Sequence, residues 1–126
     1  MDRMAAGTGE RPQGGLVAYR GIWVSRRLAP GLARLDAFAA AAQGRRILWT
    51  SGYRSPQEQA NLQVRHEAGD PSVPYEPLPY LLSKHATGDA ADGEASSPEM
   101  AAAVGTYAQS IGMGWSPREP WHFEVR

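Results

Sequence analysis

Proline and glycine cut this chain of 126 residues into short segments, and none of them is long enough for more than about three or four turns of helix. Prolines open the periodic stretches and glycines close them. Proline lacks the N–H that a first helical turn cannot use, and glycine accepts the left-handed backbone that ends a helix. From Pro30, the residues Leu32, Leu35, Ala39 and Ala42 recur at helical spacing until Gly44, which predicts a helix over 30–43. Ser55-Pro56-Gln57-Glu58 reads as a capping box opening a helix over 56–67 that Gly69 ends. Ser96 or Ser97 caps a third helix starting near Pro98, with Met100, Val104, Tyr107 and Ile111 on one face until Gly112.

Between these helices lie shorter apolar runs. Ile47-Leu48-Trp49-Thr50 suits a buried strand, and His122 to Val125 suits a last strand after the breaks at Pro117 and Pro120. Leu16 to Val24 is expected to form an edge strand or a docked segment. Residues 70–82 hold Pro71, Pro74, Pro77 and Pro79 with Tyr75 and Tyr80, so an ordered surface loop is expected there. Helices alternating with short, irregularly connected strands imply an α+β domain, a small antiparallel or mixed sheet with helices packed against it, in preference to a doubly wound sheet. The expected organisation is a flexible leader over 1–15 and a single domain over 16–126.

Composition narrows the function classes. Thirteen basic residues balance thirteen acidic ones, which leaves no field of the kind that draws a protein to nucleic acid. No stretch of about 18 apolar residues exists to span a membrane. The first 15 residues lack the apolar run of an export signal, so the expectation is a cytoplasmic or phage-delivered protein unless a leader has been lost. Without cysteine, any metal must be held by His, Asp or Glu.

Only His66, His85 and His122 are available as imidazoles. His85 and Asp92 flank Gly88 in Ser83-Lys84-His85-Ala86-Thr87-Gly88-Asp89-Ala90-Ala91-Asp92. Two imidazoles and one carboxylate with an open position form a catalytic zinc arrangement, and His122 would be the third ligand. In one continuous strand residues 85 and 92 would face opposite ways, so the reading needs a turn at Gly88. A surface His and Asp is the plainer alternative, and Asp89 competes with Asp92. Glu119, two residues before Trp121-His122, could serve a metal-bound water or be an exposed carboxylate; Pro120 excludes a helical H-E-x-x-H motif. Arg54, at a strand-to-helix junction, could present its guanidinium to a carboxylate or oxyanion. His66, at a helix C-terminus, reads as structural.

Three blocks together, Ser51-Gly52-Tyr53-Arg54-Ser55-Pro56-Gln57-Glu58-Gln59, then S-x-H-x-x-G-x-A-x-D from Ser83 to Asp92, then Glu119-Pro120-Trp121-His122-Phe123, resemble the VanY/VanX-type zinc D-alanyl-D-alanine peptidases. That superfamily includes the phage L-alanoyl-D-glutamate endolysins and the Hedgehog N-terminal domain. With the helix before the blocks, the resemblance covers about four fifths of the chain. It implies a Hedgehog/D,D-peptidase-like fold whose central antiparallel sheet carries one Zn2+ per chain on His85, Asp92 and His122. It further implies Glu119 as the catalytic base and Arg54 facing the substrate carbonyl or carboxylate. Gln59 and Ser83 would line the peptide end, with Tyr53 and Trp121 as pocket walls.

The implied activity is a D,D-carboxypeptidase acting on the D-Ala-D-Ala end of peptidoglycan stem peptides, because the superfamily's endolysins tend to carry Asp at the Glu119 position. An endolysin-like L-Ala-D-Glu endopeptidase and a cytoplasmic D-Ala-D-Ala dipeptidase are the alternatives. A monomer is expected, with no nucleic-acid partner and no membrane span.

Overall fold

A computed structural model describes residues 15–126; the leader expected over 1–15 lies outside them except for Gly15. The chain begins with a hairpin, β1 (Leu16–Tyr19) and β2 (Ile22–Ser25), where either an edge strand or a docked segment was expected. Arg20 and Gly21 both take positive φ, the requirement of the tight turns that match strand twist. Helix α1 (Ala29–Gln43) leads to β3 (Leu48–Ser51), and helix α2 (Pro56–Glu67) leads into the proline-rich loop. The loop ends in 3-10 turns at Tyr80–Leu82 and Lys84–Thr87, followed by β4 (Ala90–Glu94), α3 (Pro98–Ser110), β5 (Met113–Ser116) and β6 (Glu119–Val125).

The four later strands form one antiparallel sheet in the order β3-β4-β6-β5. Helices α1 and α3 supply much of the core, with Leu32, Leu35, Val104 and Ala108 wholly buried beside Ile47, Trp49 and Phe123. Phe38 stacks on Tyr107 between these two helices, with ring centroids 4.7 Å apart.

The segment expected as a buried strand alternates instead: Ile47 and Trp49 are buried, while Leu48 is 62% exposed. β3 is an edge strand with the period-two pattern of a sheet covered on one face. The last strand is longer than expected and contains Pro120, which an inner strand normally excludes. Two features accommodate the proline. Pairing of β6 with β4 begins only at His122, and the β5–β6 register shifts between Gly114 and Ser116.

One buried carboxylate ties hairpin, helix and sheet together. Asp36 on α1 accepts hydrogen bonds from Tyr19 (2.5 Å), Arg20 (3.0 Å), the Trp49 indole (3.0 Å) and the backbone N–H of Ile47 (2.9 Å). Burial, with the Asp36 carboxylate beside it, pushes the Tyr19 phenol well above its ordinary pKa.

Helix α3 lies against β5 through Gly105, whose missing side chain gives the Trp115 indole its place. A Cβ there would lie 2.0 Å from the ring. Gly105→Ala gains about 1 kcal/mol in helix propensity, yet it is expected to destabilise the protein by about 1–3 kcal/mol through overpacking. A lower urea midpoint at unchanged slope would display the loss; a higher midpoint would contradict this packing.

Candidate metal centre

Sheet register and one glycine turn assemble the site. Asp92 on β4 is the direct cross-strand partner of His122 on β6 and of Ser51 on β3, so the three lie in one row across the sheet. His85 joins the row from outside the strands. It sits in the 3-10 turn Lys84–Thr87, which Gly88 ends at φ 78°, a left-handed conformation suited to glycine. This is the reset of direction that the spacing of His85 and Asp92 requires. The hairpin secures both flanks: Ser25 N–H donates to the Gly88 carbonyl at 2.8 Å, and Tyr53 N–H donates to the Trp23 carbonyl at 2.7 Å.

His85, Asp92 and His122 each offer a ligand atom, all within 4.8 Å of one another, a group that could hold a metal ion. Hydrogen bonding sets how each side chain is presented. Nδ1 of His85 lies 2.7 Å from the Gly52 carbonyl, which can only accept, so Nδ1 carries a proton and Nε2 of the neutral ring has the lone pair. That Nε2 faces Oδ1 of Asp92 at 3.3 Å, a contact that a proton or a metal cation between nitrogen and oxygen stabilises.

Arg54 donates to the other oxygen, Oδ2, at 2.7 Å, which leaves Oδ1 turned to the two histidines. Nδ1 of His122 is 3.0 Å from that same Oδ1. Burial opposes ionisation of Asp92, but hydrogen bonds with His122 and His85, with Arg54 nearby, hold its carboxyl far below the usual range. Burial likewise works to lower the His122 pKa, and hydrogen bonds with Asp92 and Glu124 overcome it and raise the pKa. Two carboxylates that favour a proton on this ring favour a metal cation at it for the same electrostatic reason.

The group opens on a cavity of about 530 Å³, lined also by Arg54, Gln59, Ser83, Glu119, Trp121 and Glu124. Arg54 places three donors on neighbours: Nε on Ser51 (3.1 Å), Nη1 on Gln59 (3.5 Å) and Nη2 on Asp92. Two of its five N–H groups are left for a ligand. Gln59, 2% exposed, uses both ends of its amide within the protein, accepting from Arg54 and donating to the Leu78 carbonyl at 2.5 Å. It braces the proline-rich loop over the cavity as much as it lines it. Ser83 Oγ accepts from the His85 N–H at 3.2 Å, a bond that does not use its own O–H donor.

Glu119 is exposed in the cavity wall and is not one of the three clustered groups. Trp121 lines the cavity and meets Tyr75 of the loop at a ring distance of 5.7 Å. Tyr53, read as a pocket wall, is not among the residues that line the cavity, whereas its neighbour Arg54 is. Asp89, the competing ligand, is committed to Arg27 (2.5 Å) and Thr87 (3.0 Å). Nδ1 of His66 lies 2.9 Å from the Val73 carbonyl, a second brace between α2 and the loop.

Sequence reasoning passed over Glu124. Its Oε1 lies 2.9 Å from Nε2 of His122, and its Oε2 lies 3.2 Å from Nζ of Lys84. The signal was present, since residues two apart on a strand share a face.

No protein-family model matches the sequence, and no curated protein matches it. Solved structures do. The vancomycin-resistance D,D-pentapeptidase VanY of a VanB-type resistance cassette, determined in complex with Zn(II), is 22% identical with a TM-score of 0.68, over 90% of this chain and 79% of that one. VanYB in complex with D-alanine-D-alanine gives 21% and 0.68, over 91% and 78%. The D,D-dipeptidase VanXYg, in complex with a D-Ala-D-Ala phosphinate analogue, gives 24% and 0.65, over 89% of this chain and 55% of that one. With an antiparallel sheet that sets two histidines and an aspartate in one cluster, this chain has the fold of the VanY/VanX-type zinc D,D-peptidases.

Proposed function

We propose that the protein is a zinc-dependent D,D-carboxypeptidase that removes the terminal D-Ala from peptidoglycan stem peptides. The observation that carries the reading is the His85–Asp92–His122 cluster, with ligand atoms within 4.8 Å of one another at the wall of a cavity that also holds Glu119 and Arg54. Two imidazoles and one carboxylate suit zinc and leave it a position open for chemistry. The Zn(II) complex of VanY and the D-Ala-D-Ala complex of VanYB support the choice of metal and substrate.

When bound, zinc supplies a Lewis acid for the scissile carbonyl and lowers the pKa of the attacking water. Glu119 takes the proton from that water and returns it to the leaving amine. Arg54 fixes Asp92 through Oδ2 and keeps two N–H groups for the substrate's carboxylate or developing oxyanion. Ser83 holds the His85 turn and offers its hydroxyl to the peptide, while Trp121 forms the apolar wall.

A carboxypeptidase must recognise a free terminal carboxylate. A stem peptide ending in D-Ala-D-Ala is therefore expected to lose its last residue, while the C-terminally amidated peptide turns over at least about 10-fold more slowly, the loss of one charge-assisted hydrogen bond. Mass spectrometry of the products checks this. Equal cleavage of acid and amide, or a cut between L-Ala and D-Glu, would assign the protein to endopeptidases; release of product only from free D-Ala-D-Ala would assign it to dipeptidases.

A further inference from the structure

Glu124 and His122 are two residues apart on β6 and share the face that lines the cavity. The imidazole is bracketed: Nδ1 looks toward Asp92 and His85, and Nε2 toward Oε1 of Glu124 at 2.9 Å. Both carboxylates can only accept; with a metal ion held at the cluster, Nδ1 would turn its lone pair to the ion and the Glu124 oxygen would keep the one remaining ring proton on Nε2.

Two further features hold Glu124 in this pose. Lys84, next to His85 in the 3-10 turn, reaches Oε2 at 3.2 Å while its ammonium also donates to the Val125 carbonyl at 2.5 Å. On the other side, Gly114 of β5 is the cross-strand partner of Glu124, and a Cβ at 114 would lie 2.8 Å from the Glu124 Cγ. The side chain crosses β5 at a place only glycine leaves open. Lys84 and Gly114 thus hold in place the carboxylate that meets the ring nitrogen.

We infer that Glu124 is a positioning residue which, anchored by Lys84 and given room by Gly114, fixes the His122 tautomer and orientation so that Nδ1 is presented to the metal. The inference rests on the metal reading above and assigns Glu124 a task separate from that of Glu119. Carboxylate partners of metal-bound imidazoles typically contribute 10–100-fold in metal affinity. Glu124 is 31% exposed, which puts its share at the lower end.

The test is zinc affinity of the purified full chain, measured by competition with a chromophoric chelator, alongside 15N shifts of the His122 ring in the zinc-loaded protein. Glu124→Ala is expected to bind zinc about 10-fold more weakly and to lose the single Nε2–H signature. Glu124→Gln keeps an acceptor and should fall between it and wild type. Lys84→Met and Gly114→Ala should weaken zinc in the same direction, each with Glu124 intact. Wild-type affinity and an unchanged His122 tautomer in Glu124→Ala would overturn the inference while leaving the metal reading standing. Failure of the wild type itself to bind zinc would overturn both.

Discussion

The Glu119→Gln protein is expected to keep one equivalent of zinc and to release D-Ala at least about 100-fold more slowly than wild type, the usual contribution of a general base. Glu119 lies in the cavity wall outside the three clustered ligand groups, so removing its charge takes away proton transfer and no metal bond. Pro120 holds residue 119 extended and apart from His122, which supports the same division of labour. The contrast with Glu124 is informative. Both carboxylates line one cavity, but substitution of Glu119 should act on turnover at full zinc occupancy, and substitution of Glu124 on zinc affinity. Metal analysis and single-turnover rates on the two variants separate these effects. Joint loss of zinc and activity in Glu119→Gln would make Glu119 a ligand.

The Asp36→Ala protein is expected to be less stable by about 3 kcal/mol, because a buried carboxylate with several partners is removed and the partners stay buried. The Trp49 indole N–H, the Ile47 N–H and the Tyr19 hydroxyl all lose their acceptor. Arg20, about one third exposed, regains water and adds less. At roughly 3–6 °C per kcal/mol for a domain of this size, the melting temperature should fall by about 9–18 °C. Asp36→Asn keeps one acceptor oxygen and should lie between. A change of under 3 °C in Asp36→Ala would show that the network adds little to holding hairpin, helix and sheet together.

Asp36 also shows where sequence reading stops. On α1 it falls one place after Leu35 and looks like an ordinary solvent-facing residue, because its partners come from β1, the β1–β2 turn and β3, distant in sequence. The helices were legible because local chemistry sets them: the Ser55 capping box and the Pro30 and Pro98 starts appear with bounds within about a residue of those expected. β5 was not, since Met113-Gly114-Trp115-Ser116 has neither alternation nor length and becomes a strand only by pairing with β6. At the site, the turn at Gly88 could be required from the spacing of His85 and Asp92, and the structure supplies it. The anchoring of Arg54 to Asp92 could not, because that ion pair spans 38 positions and depends on β3 and β4 lying in register.

One zinc held by His85, Asp92 and His122 is what every step of the proposed chemistry requires, and elemental analysis of protein purified without chelators tests for it most directly. Wild type should carry about one equivalent per chain, and His85→Ala, which removes the Nε2 that faces Asp92, should carry well under a tenth of that under equal dialysis, with circular dichroism checking that it is folded. Zinc-free wild type, or His85→Ala with a full equivalent, would contradict the assignment.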